Sequence, residues 1–225
     1  MTAAALLALA LLVPVPLWGL WRSRPGRPAQ DRKARYWSTI ALGTVLLVAL
    51  ALVKRSEGLS LADLGLGPLG TTGAWALAAA AVLLGLLALG LRSNRARKER
   101  PDDSAAAMFP HQRDEVPAFV LMILVAGIGW ELLYRGFLLW FLPPLIGLWP
   151  AVLVAALAYG LAHGWHSGKR FAASLVSALL FTAGYALTGS LWWLILIHLG
   201  LPLIGYLGWR RLRAAAPATP IEALA

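Results

Sequence analysis

Residues 116–142 read VPAFVLMILVAGIGWELLYRGFLLWFL. This run is longer than the roughly 20 apolar residues a helix needs to cross a bilayer. It carries two charges, Glu131 and Arg135. Its reading assigns the chain to lipid rather than water, and the composition agrees. Of 225 residues, 60% are hydrophobic and 13% charged, whereas soluble domains run near 45–50% and 25%. So few charges could not cover so much apolar surface in water. That excludes an ordinary soluble enzyme and a disordered chain. The absence of cysteine excludes disulfides, a thiol nucleophile and a Cys-ligated metal.

Six further apolar stretches lie outward from this one, at 2–21, 36–53, 72–91, 146–163, 171–187 and 191–209. The expected fold is all-α, a polytopic transmembrane helix bundle of about seven spans. The first stretch lacks a basic leading region and is followed at once by arginines, so it reads as a retained span rather than a signal peptide. Pro14 and Pro16 are expected to bend it.

The net charge of +10 is an orientation signal. Seventeen Lys and Arg fall in every second connection: Arg22 to Arg35, Arg92 to Arg113, Lys169 and Arg170, and Arg210 to Arg213. The opposite loops hold Lys54 and Arg55 alone. Basic loops stay on the cytoplasmic side, so the N-terminus is expected outside and the C-terminus inside. The charge is thereby accounted for without nucleic acid; the bilayer, with its anionic lipid, is the expected partner.

The charge-dense stretch 92–115, which includes Asp102 to Ala107, divides the chain. Residues 1–108 form a three-span front with basic cytoplasmic loops, 109–209 a four-span back, and 210–225 a tail expected to be disordered, with Pro217 and Pro220. Residues 56–70 read as an amphiphilic outer loop, a short helix in the interface. No internal repeat or symmetric pair of broken helices is visible, which argues against a transporter.

Of 30 formally charged side chains, 28 fall in loops or tails. The exceptions, Glu131 and Arg135, sit i,i+4 on one helix face and can pair. A charge at bilayer depth costs at least ~2.5–3.5 kcal/mol, which makes such a residue a functional candidate. The plainer alternative is an ion pair that pins helix packing. Histidines bear on the choice. From the outer ends of their helices, Glu131 lies about 16 Å deep, His163 about 21 Å and His198 about 12 Å, at 1.5 Å per residue. A lone histidine in a span is ordinarily a packing residue. Two of them level with the one buried carboxylate point instead to chemistry. His111 and His166 lie in loops and read as solvated.

A carboxylate and an imidazole can share the deprotonation of water. A second imidazole can donate to a developing oxyanion, and low dielectric strengthens both effects. Hydrolysis of a peptide bond follows most naturally. Two His and a Glu can also hold zinc, but the spacing does not demand it, and no cofactor is expected. No HExxH occurs, and no aspartate lies in any span. Ser174, Ser177 and Ser190 stand in no nucleophile motif and read as helix-packing hydroxyls.

The back half resembles the CPBP family of intramembrane proteases (CAAX protease and bacteriocin-processing, also called Abi). The family's motifs are EExxxRG, F/YxxxH and HxxxN/D on successive core helices. Here they read Trp130-Glu131-Leu132-Leu133-Tyr134-Arg135-Gly136, Tyr159-Gly160-Leu161-Ala162-His163 and His198-Leu199-Gly200-Leu201-Pro202. The resemblance covers roughly residues 109–209. It implies a four-helix protease core in a bacterial inner membrane and a metal-independent, glutamate-dependent hydrolase with no covalent intermediate. Carried over by position, Glu131 and His163 activate water, His198 holds the oxyanion and Arg135 orients Glu131. The implied partners are membrane protein or peptide substrates. Trp130 stands where the family has its first glutamate, and Pro202 where it has Asn or Asp. The alternative is therefore a non-catalytic scaffold or immunity protein on the same fold.

The orientation has a direct test, since a cysteine-free chain gives a clean background. In intact cells a membrane-impermeant maleimide should label Ser56→Cys, and should label Arg213→Cys only after lysis. The reverse pattern overturns the orientation.

Overall fold

The computed structural model describes residues 1–24, 31–93, 108–164 and 167–215. Among them are helices and turns but no strand. The first span is two helices, α1 (Ala3–Leu12) and α2 (Pro14–Arg22), broken at Val13. Pro14 and Pro16 have no N–H to give the preceding turn, which produces the break. Then come α3 (Arg32–Ser56), α4 (Thr71–Ser93) and α5 (Val116–Glu131). The last runs on through a π-helical turn, Leu132–Phe137, and a short turn, Leu138–Phe141. Helices α6 (Leu148–Ala162), α7 (Gly168–Thr188) and α8 (Trp192–Ala215) complete the bundle.

Among the described residues, six helical stretches are long and apolar enough to cross a membrane. The expected span at 146–163 is not among them, because α6 has only 15 residues. That is about 22 Å, short of a hydrocarbon core of about 30 Å. Glycines set both limits: Gly147 precedes α6 at φ 85° and Gly164 follows its cap at φ 80°, angles that side chains with a Cβ rarely adopt. At the other end of the chain, α8 stays helical past Trp209 to Ala215. Residues 102–107, His166 and 216–225 lie outside the described residues.

The front and back of the chain share one bundle. Helix α2 packs along α6, α3 along α5, α4 along α8, and α6 along α7. Small residues let the backbones approach, as membrane helices require. A Cβ on Gly43 would lie 2.7 Å from Val125, and one on Gly200 would lie 2.5 Å from Leu84. Val45, Val48, Leu52, Val82 and Leu86 face outward, an apolar surface suited to lipid.

At the basic end, Asp31 caps α3 by accepting from the Ala34 N–H. Arg32 pairs with Glu115 at 3.3 Å and Lys33 with Asp114 at 2.5 Å. The Tyr36 hydroxyl donates to the Met108 carbonyl. His111 is exposed, yet its ring stacks on Trp209 with centroids 5.0 Å apart.

The outer loop departs from the interfacial helix expected of it. Its turn at Ala62–Leu66 folds inward, burying Leu64 and Gly65. The Gly65 carbonyl accepts from the Leu191 N–H at 2.9 Å. A Cβ on Gly136 would fall 2.8 Å from the Leu64 carbonyl oxygen. Two glycines on facing backbones leave room for the loop to enter, which burial of Leu64 then favours. Gly65 sits at φ 79°, and a Cβ there would lie 2.6 Å from the Tyr185 ring. Gly65→Ala should therefore destabilise the protein by about 1–3 kcal/mol, read by thermal unfolding in detergent. Gly85→Ala, with open space around it, should leave the midpoint unchanged.

Candidate active site

Glu131 is the last residue of α5, where the helix widens into the π-helical turn. Such widenings recur at functional sites. One turn earlier, Gly127 faces α8. A Cβ there would lie 2.7 Å from Leu199 and 3.6 Å from the His198 carbonyl carbon. The absence of that Cβ brings α8 close enough for His198 to reach Glu131.

Glu131 Oε1 accepts from Arg135 Nη1 at 2.7 Å and from His198 Nδ1 at 2.8 Å. Both members of the ion pair are buried, at 1% and 0% exposure. Glu131 Oε2 and Arg135 Nε and Nη2 make no hydrogen bond. The guanidinium lies over the Tyr159 ring, 4.2 Å from its centroid, a cation–π contact that is strongest out of water. The Tyr159 hydroxyl lies 3.4 Å from His198 Nδ1, at the weak end of hydrogen bonding.

His163 caps the C-terminus of α6. Its Nδ1 lies 2.9 Å from the Tyr159 carbonyl oxygen. A carbonyl only accepts, so Nδ1 carries the proton. In the neutral ring Nε2 is then an unprotonated acceptor. His198 is tied the same way, with Nδ1–H directed at the carboxylate. Its Nε2 becomes a donor when the ring is protonated.

A cavity of about 170 Å³ joins these groups. Glu131, Tyr159, His163 and His198 line it, with Ser174, Ser177 and Phe181 from α7 and Leu194, Leu201 and Pro202 from α8. The lining combines a few polar groups with an apolar wall, as ligand sites do. Of the expected site residues, Glu131, His163 and His198 line the cavity, while Arg135 is buried behind Glu131. Tyr159 was not singled out from sequence as a site residue. Its place four residues before His163, on the same helix face, was the available signal. Ser174 and Ser177 read from sequence as packing residues, yet both face the cavity.

The two departures from the motif separate in space. Trp130 packs against the main core with its ring 5.9 Å from Tyr134. Pro202 lines the cavity within α8. It offers no side-chain donor, and its missing N–H leaves the His198 carbonyl without its usual helical partner.

Residues 112–204 match the family model for Rce1-like proteins, described as type II CAAX prenyl endopeptidase Rce1-like. The match is consistent with the CPBP family and spans all three motifs. No curated protein and no solved structure matches the chain.

The buried pair has a thermodynamic signature. Removing Arg135 alone strands a carboxylate in the core, which costs about 3–5 kcal/mol. Arg135→Met should lose that much in unfolding measurements, and Glu131→Gln combined with Arg135→Met should recover a substantial part. Equal losses in the single and double variants would mean the two groups are not coupled.

Proposed function

We propose that this multi-pass membrane protein is an intramembrane endopeptidase that hydrolyses peptide bonds of membrane-associated substrates without a metal. The observation that carries the reading is Glu131, whose buried Oε2 has no hydrogen-bond partner and which lines a cavity with His163 and His198. In this scheme a water sits between Glu131 Oε2 and His163 Nε2, both acceptors. Arg135 and His198 hold Oε1, so the carboxylate presents its other oxygen to the water. As the water attacks the scissile carbonyl, its proton passes to the Glu131–His163 pair and then to the leaving amine. Protonated His198, anchored by Nδ1–H to Glu131, donates from Nε2 to the oxyanion. No bond forms between enzyme and substrate.

The family match at residues 112–204 supports a CAAX-protease type of peptidase at family level. The alternation of basic loops, with α6 and the turns that flank it counted as one crossing, supports placement in a bacterial inner membrane with the C-terminus inside. It also supports lipid rather than nucleic acid as the partner of the basic face.

In reconstituted protein, Glu131→Gln should lower peptide cleavage at least a hundredfold, the lower end of what a positioned general base contributes (about 10²–10⁴). Unchanged turnover refutes the assignment. A chelator should leave the rate unaltered, and loss of activity restored by zinc would replace this mechanism with a metal-dependent one.

One observation favours a second reading. Pro202 faces the cavity with no donor, as a scaffold that holds a transmembrane segment without cutting it would allow. If cleavage appears only in Trp130→Glu combined with Pro202→Asn, the natural chain is that scaffold.

A further inference from the structure

The first span lies outside the segment that matches the family model, and its contact with the site is specific. Helix α2 meets the C-terminal end of α6 backbone to backbone. A Cβ on Gly19 would lie 2.3 Å from the Ala162 carbonyl oxygen and 2.9 Å from its Cα. Real side chains essentially never come so close, so only glycine fits between the two helices. One turn on, the Ser23 hydroxyl donates to the carbonyls of Gly19 at 2.8 Å and Leu20 at 3.3 Å. That bond holds the hydroxyl against Gly164, where a Cβ would fall 2.4 Å from Ser23 Oγ and 2.7 Å from the Gly19 carbonyl. Gly164 also stands at φ 80°. The residue between these two contacts, bounded by Ala162 and Gly164, is His163.

A second tie runs from the same span to the π-helical turn. The break at Val13 leaves the Leu11 carbonyl free to accept from the buried Tyr134 hydroxyl, at 3.0 Å. Tyr134 immediately precedes Arg135. The first span thus touches the site from outside at both polar arms, beside His163 and beside Arg135.

We infer that α2 is a positioning element for His163, with Gly19 and Ser23 as its positioning residues. The physical need is visible in α6. The helix is too short to be held at both membrane faces, and His163 sits on its last, least hydrogen-bonded turn. The imidazole is fixed to its own helix, Nδ1 to the Tyr159 carbonyl. It therefore goes where the end of α6 goes. Helix α2 decides where that end lies, and so how far Nε2 stands from the water facing Glu131.

The inference rests on the hydrolytic reading for its kinetic consequence and on geometry alone for its spectroscopic one. Gly19→Leu should drive the end of α6 away. The protein has four histidines, so their imidazole resonances in isotope-labelled, detergent-solubilised protein can be assigned by single replacement. In Gly19→Leu the His163 resonance should move while that of His198 stays. With a cleavable peptide, kcat should fall about a hundredfold, the cost of a displacement of about 1 Å. KM should hold, because the walls on α7 and α8 are untouched. Gly19→Ala and Ser23→Ala, milder changes at the same contact, should shift the same resonance by less, and they stand in should Gly19→Leu not fold. Gly85→Leu, in open space, should change nothing. Unmoved His163 signals with unchanged kcat overturn the inference, as do shifts of His163 and His198 together with a lowered melting temperature. A wild-type chain that cuts no peptide would refute the hydrolytic reading instead, leaving the His163 resonance to decide the role of α2.

Discussion

A carboxylate and a guanidinium buried together, 2.7 Å apart, are the constraint around which the bundle is arranged. Both are buried, so each must be met largely by the protein. Separating them would leave a charge in low dielectric at a cost of several kcal/mol. Their surroundings follow from that need. Gly127 admits α8 so that His198 can bond Glu131. Tyr159 lies under the guanidinium face. Tyr134 fills the space beneath and anchors to the kink of the first span. Of the carboxylate's two oxygens, Oε2 is left without a partner, on a residue that lines the cavity.

The α6 helix shows a second principle of membrane architecture. A helix that spans the bilayer is positioned by its two interfaces. One that stops short must be positioned by neighbours. Here it stops short at its catalytic candidate, between glycines and against the glycine face of α2. Gly136 likewise faces a backbone, that of Leu64, while Gly43 and Gly200 make room for the side chains of Val125 and Leu84. In a solvent as apolar as the side chains, van der Waals fit has to replace the hydrophobic effect as the source of order.

Legibility in the sequence was uneven for a physical reason. Glu131, Arg135, His163 and His198 stood out because lipid makes polar residues rare and therefore visible. Tyr159, Ser174 and Ser177 did not, since tyrosine and serine are cheap in a membrane helix and carry no such signal. The inward fold of Ala62–Leu66 was equally hidden. Its amphiphilic pattern suits an interface as well as a groove, and the groove exists only once Gly136 faces Leu64.

By itself, then, the sequence determined the solvent, the helical class and the few residues whose burial demands a reason. These depend on one residue at a time or on residues adjacent along one helix. The tertiary structure decided that, among the described residues, six helices rather than seven have the length to cross. It decided that Trp130 packs away from the cavity while Pro202 lines it, and that the first span braces the end of α6. The last of these depends on contacts between residues more than a hundred positions apart, Gly19 with Ala162 and Leu11 with Tyr134. No pattern along the chain encodes such pairings, and only the packed bundle brings them within reach.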